Sequence, residues 1–182
     1  GFSRGVSEDV GKCIRLLELF GLPGLKNLNQ YFKDRVNKKF EDLNLISANN
    51  LPNSEFYCPI ILGISFLDQI RIIEKRKKVT FKNIAYPIIF LSFLSRASEI
   101  IGKKIFIKID EIEFLLNYNV NIYSNFFNHD LISIGKNVEI KVIDNQDNFL
   151  DHEWKELYKL SEKTFVEETD SLKQSGAGAG LT

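Results

Sequence analysis

Ile88-Ile89-Phe90-Leu91-Ser92-Phe93-Leu94-Ser95-Arg96-Ala97-Ser98-Glu99-Ile100-Ile101-Gly102, followed by Lys103-Lys104-Ile105-Phe106-Ile107-Lys108-Ile109, holds the change of period that decides the fold. In the first half Phe90, Phe93, Leu94, Ala97 and Ile101 make one helix face, with Ser92, Arg96 and Glu99 opposite. Gly102 ends that helix. In the second half Ile105, Ile107 and Ile109 alternate with Lys104, Phe106 and Lys108, the two-residue repeat of a half-buried strand. Asp110-Glu111 then leads into an Ile112, Phe114, Leu116 alternation, so a β-hairpin is expected here.

Moving toward the C-terminus, Val120 and Ile122 extend the alternation weakly. Leu131 to Ile134 and Val138, Ile140, Val142 flank Gly135-Lys136-Asn137, which reads as the turn of a second hairpin. Asp151 or His152 opens a final amphipathic helix with Trp154, Leu157, Tyr158 and Leu160 inward. Toward the N-terminus, Lys75-Arg76-Lys77-Lys78 reads as a solvated connector. Tyr57 to Ile73 fits either a buried helix with Ile60, Ile64 and Leu67 on one side, or a strand from Pro59 to Ser65. Ser47 to Glu55 is loop. Leu25, Leu28, Tyr31, Phe32 and Arg35 continue a helix after the turn Leu22-Pro23-Gly24. Val10, Ile14 and Leu17 mark another helix, which Ser7 caps and Gly21 stops. Helices, then a meander of strands, then a helix define an α+β class: an N-terminal helical hairpin, an antiparallel meander, and a C-terminal helix with a Gly-rich tail.

A length of 182 residues suggests one domain. Hydrophobic residues at 44% suffice for a core, and 24 basic against 24 acidic side chains argue against a broad nucleic-acid face. Apolar runs break before the ~18–20 residues of a membrane span, and Cys13 and Cys58 form neither a zinc spacing nor a disulfide framework. A cytoplasmic protein is the expectation. The chain has no Met and opens on Gly1-Phe2-Ser3-Arg4-Gly5, so it reads as trimmed.

The tail Gly176-Ala177-Gly178-Ala179-Gly180-Leu181-Thr182 is the most unusual segment. Its amides can form a concave nest for a phosphate or carboxylate, or it is an exposed end. Upstream, Glu167 and Asp170 are placed for acid–base work or Mg²⁺, or form a solvated helix end. Arg4, Arg15 and Arg96 are candidate anion contacts, because guanidinium suits bidentate recognition. Cys58 reads as a small buried residue, or as a nucleophile if His129 or His152 reaches it. Zinc has too few ligands.

Gly1-x-x-x-Gly5-x-x-Glu8-Asp9, Arg15-Leu16-Leu17 through Gly21-Leu22-Pro23-Gly24-Leu25, Cys58-Pro59, and Thr164-Phe165-Val166 through Ser171 to the Gly-Ala tail resemble an uncharacterised bacterial family, domain of unknown function 3726. The resemblance implies a lost N-terminal helix and an Asp-Asn-Asp continuation after Thr182. It implies no activity, so it makes the tail a family feature without giving it a role.

The expected function is binding or turnover of an anionic small metabolite near the tail, with Arg4, Arg96, Ser171, Gly176, Gly178, Gly180 and Thr182 as contacts. The alternative is a non-catalytic subunit or assembly partner in a homo- or hetero-oligomer, using exposed Phe and Ile on the strands. No residue pattern assigns a reaction or a cofactor. Neither a nucleic acid nor a membrane is expected as partner.

Overall fold

A computed structural model describes residues 2–53, 55–127, 130–146 and 149–162. The chain divides into two compact units, Gly1–Asn145 and Gln146–Thr182. The first is α+β.

In the first unit α1 (Arg4–Leu19) starts one turn earlier than Ser7 suggested. Ser3 is the N-cap, its Oγ accepting from the Val6 amide at 3.4 Å. Ser7 instead donates its hydroxyl to the Ser3 carbonyl at 3.1 Å. α2 (Gly24–Arg35) completes the expected helical hairpin. The two-residue strand β1 (Asn49–Asn50) interrupts the expected loop. The Tyr57–Ile73 stretch is helical: α3 (Pro59–Asp68) and α4 (Ile70–Arg76). Pro59 at the first helical position fits this, since its missing N–H would be unpaired there anyway.

The basic run is not a connector, since Lys75 and Arg76 form the last turn of α4. Arg76 donates to the Ile46 carbonyl at 2.6 Å, and Lys77 adopts φ 62° and pairs with Asp144 at 2.5 Å. Lys78 already belongs to β2 (Lys78–Ala85), where it pairs with Glu139 at 2.5 Å. α5 (Pro87–Ile101) ends at Gly102 (φ 63°), as expected. β3 (Lys104–Ile109) and β4 (Ile112–Asn117) form the expected hairpin, and β5 (Asn121–Ser124) extends it.

The second expected hairpin does not exist. β6 (Ile134–Ile143) is one continuous strand, inserted between β2 and β3 to give the order β1-β2-β6-β3-β4-β5. All neighbours are antiparallel except β1 and β2. Lys136 and Asn137 run past the end of β3, where the Asp110 carboxylate accepts both of their amides at 3.1 and 2.9 Å. Gly135 is needed for closeness, not for a turn: a Cβ there would lie 3.0 Å from Ile109 and 3.3 Å from Pro87.

Ile105, Ile107, Ile109, Phe114, Leu116 and Ile140 point to the covered side of the sheet and are buried. They are therefore in the core rather than on an exposed strand face. Phe106 faces the open side, half-buried, with the Lys141 ammonium 5.8 Å from its ring. α5 packs on β3 and β4, and against α1, α2 and α3 as well, so it is buried on nearly all sides. Ser92, placed outward by the sequence pattern, is fully buried and gives its hydroxyl to the Ile89 carbonyl at 2.8 Å.

In the second unit the described helix is α6 (Asp151–Glu162). Trp154, Leu157, Tyr158 and Leu160, expected inward, are all more than half exposed. No other described element of that unit offers a face to bury them. Among the described residues, no helix is long and apolar enough to cross a membrane.

Candidate functional site

α1 and α2 cross at Gly24, where a Cβ would stand 2.9 Å from the Leu17 Cβ, and Gly21 (φ 70°) shapes the link between them. α2 has no side-chain cap of its own. Glu18 of α1 supplies one, its Oε1 accepting from the Leu25 amide at 2.7 Å. The outside of this hairpin is an apolar groove of about 590 Å³, lined by Phe2, Val10, Ile14, Leu25, Leu28 and Phe32. Ser7, Arg15 and Glu18 form its polar edge.

A second cavity of about 190 Å³ lies at the C-terminal end of α2. Its floor is the buried pair Tyr31 and Cys58, with the phenol oxygen 3.1 Å from the thiol sulfur. Tyr31 is fixed on several sides: it stacks on Phe40 at 5.2 Å and meets Tyr86 edge-on at 6.0 Å. Burial pushes the Cys58 thiol up, against the pull of the Ile61 amide, and pushes the Tyr31 phenol up further. Both are therefore protonated near neutral pH, so the floor is uncharged and no thiolate nucleophile is set up.

The rim is charged. Arg35, Lys38 and Lys39 are exposed around the opening, with Asp42 beside them. Arg35 reaches the Tyr31 hydroxyl at 3.4 Å, and its guanidinium lies 4.0 Å above the Phe2 ring. Lys38 pairs with Asp34 at 2.9 Å. Counting Asp34 behind Lys38, three cations face two carboxylates, an excess of positive charge over an uncharged floor.

Asp34 ties this rim to the core. It accepts from Lys38, from the Tyr86 hydroxyl at 2.9 Å, and from Gln30 at 2.9 Å. Lys38 and then Tyr86 hold its carboxyl below the ordinary aspartate value. Burial and Asp34 together push Tyr86 up to about 12. A carboxylate with a lowered folded-state pKa contributes stability above its unfolded value, and that contribution disappears as pH falls through the folded value. Asp34→Asn should therefore flatten the loss of stability below pH ~4, read by urea titrations between pH ~6 and ~2. Unchanged steepness would show that the Asp34 contacts carry no stability.

The sequence-based site residues fall elsewhere. Arg4 begins α1, exposed and without an ion-pair partner among the described residues. Arg96 on α5 pairs with Asp9 at 3.4 Å. Neither lines the groove or the cleft, whereas Arg15 lies on the groove edge. Ser171, Gly176, Gly178, Gly180 and Thr182 lie outside the described residues, as do Glu167, Asp170 and His129. Among the described residues no His lines the cleft, and no cluster of His, Cys, Asp and Glu is able to hold a metal.

The cleft residues Lys38 and Lys39 were not singled out in the sequence. The signal was a basic run at a helix end, Lys33 to Lys39, which ordinarily only complements the helix dipole. Every residue lining the groove, and every cleft residue except Cys58, lies before residue 43.

A family model, Protein of unknown function (DUF3726), matches residues 1–55. The matched segment thus carries the whole groove and nearly the whole cleft. No curated protein and no solved structure matches the chain.

Proposed function

We propose that this protein binds a small anionic molecule in the cleft between the end of α2 and the start of α3. The observation that carries the reading is the convergence of Arg35, Lys38 and Lys39 over the buried Tyr31–Cys58 pair. The cations supply charge and the uncharged floor, with one hydrogen of the Tyr31–Cys58 pair left over, opposes no anion, which together suit a carboxylate or phosphate. Stacking on Phe2 holds the Arg35 guanidinium in one orientation, so less entropy is lost on binding. With residues 163–182 outside the described chain, the cleft supports this reading and the tail does not enter it.

A thermal-shift screen with small carboxylates and phosphates tests it. At 100 times its dissociation constant a true ligand stabilises by about 2.7 kcal/mol, a rise of several degrees. Arg35→Ala with Lys39→Ala should weaken that ligand by about tenfold or more, since each charged hydrogen bond contributes about 1.5–3 kcal/mol. No shift with any compound, or an equal shift in the double variant, rules the cleft out.

A further inference from the structure

Resting on that reading of the cleft, we infer that the anion carries an apolar body, a single medium-length hydrocarbon chain, that lies in the groove along α1 and α2 while its head meets Arg35. The groove and the cleft share a boundary. Phe2 lines the groove, meets Phe32 edge-on at 6.5 Å, and carries the Arg35 guanidinium 4.0 Å above its ring. On α2, Leu28, Phe32 and Arg35 follow one another at helical spacing, so one line of side chains leads from apolar wall to cation.

The groove edge carries one cation and one carboxylate, Arg15 and Glu18, so the preference for an anion comes from the Arg35 end. Glu18 is engaged with the Leu25 amide, and Ser7 gives its hydroxyl to the Ser3 carbonyl. Arg15, by contrast, has no ion-pair partner among the described residues and stands on the same edge. A volume of about 590 Å³ lies within the roughly 300–1,000 Å³ of small-molecule pockets. The wall is exposed where a chain would cover it: Leu25 is 55% and Phe32 44% accessible.

Gly11 makes the test clean. It lines the groove inside α1, and a Cβ there meets no atom within 4 Å. Gly11→Leu therefore starts from an open Cβ position, adds bulk to the groove wall and is a better helix former. Calorimetric titration compares inorganic phosphate, octyl phosphate below its micelle concentration, and octanol.

Each buried methylene is worth about fourfold in affinity, so octyl phosphate should bind at least about tenfold tighter than phosphate. Gly11→Leu should abolish that gain and leave phosphate binding unchanged, and Arg35→Ala should weaken both anions. If phosphate binds and the octyl chain adds nothing, or Gly11→Leu keeps the gain, the groove inference fails and the cleft reading stands. Octanol binding as well as octyl phosphate also overturns the inference, because the head would then be irrelevant. If neither anion binds, the groove inference fails, and the cleft reading is then decided by the carboxylates of the thermal-shift screen.

Discussion

Phe90→Ala is expected to cost about 3–5 kcal/mol, because it empties a fully buried site that three elements share. The ring on α5 meets Phe66 of α3 edge-on at 5.6 Å and Phe81 of β2 edge-on at 6.0 Å. Truncation removes the transfer energy of the ring, opens a cavity, and breaks two aromatic pairs worth about 0.5–1.5 kcal/mol each. Neighbours that are themselves large rings in helices and a strand have little freedom to collapse into the space. Against a typical total stability of about 5–15 kcal/mol, the loss leaves a marginal protein. The melting midpoint should fall by roughly 10–15 °C, and urea titration gives the free energy directly. A loss under about 1 kcal/mol would mean that Phe90 does not join helix to sheet.

How far the fold was legible depended on how strictly a segment kept its period. β3 and β4 keep apolar residues at every inward position, Ile105, Ile107 and Ile109, then Phe114 and Leu116, and only one register buries all of those. β2 was missed because it opens on Lys78, the last residue of the basic run, and because Asn83 (φ 52°) drops out of the pairing before Ile84 and Ala85 turn inward. β6 was read as two strands because Gly135 and Asn137 are turn residues in isolation. Nothing local announces the Asp110 carboxylate that straightens them, 26 and 27 residues earlier. The site was less legible for the same reason. Arg35 was placed on its helix, but its meaning comes from Phe2 and from Cys58, whose distance in sequence no short motif spans. The amides and guanidiniums singled out instead were chosen by residue type, and Arg96 pairs with Asp9 away from both the groove and the cleft.

Gly63→Val should be the most damaging single change in the helical layer. The glycine sits where α3 crosses α5, and a Cβ there would fall 2.3 Å from Phe93 Cδ2 and 2.4 Å from its Cγ. Ordinary carbon contacts are about 3.5–4.0 Å, so the helices would have to separate by more than an ångström or Phe93 would have to leave its rotamer. In an open helix, glycine to alanine gains roughly 1 kcal/mol, and Gly11→Ala should do so. At Gly63 the sign should reverse: about 2 kcal/mol lost for alanine, and about 4 or more for the branched valine. Phe93→Leu in the Gly63→Ala background should recover part of the loss, a coupling of about 0.5–3 kcal/mol that two independent sites would not show. The displacement also has a functional consequence. Cys58 is the N-cap of α3 and Tyr86 the N-cap of α5, and both rest against Tyr31. Parting the two helices therefore disturbs the cleft floor, and Gly63→Ala should weaken anion binding even at temperatures where it stays folded. Full affinity in a folded Gly63→Ala protein would mean that the rim cations hold the anion without help from the floor.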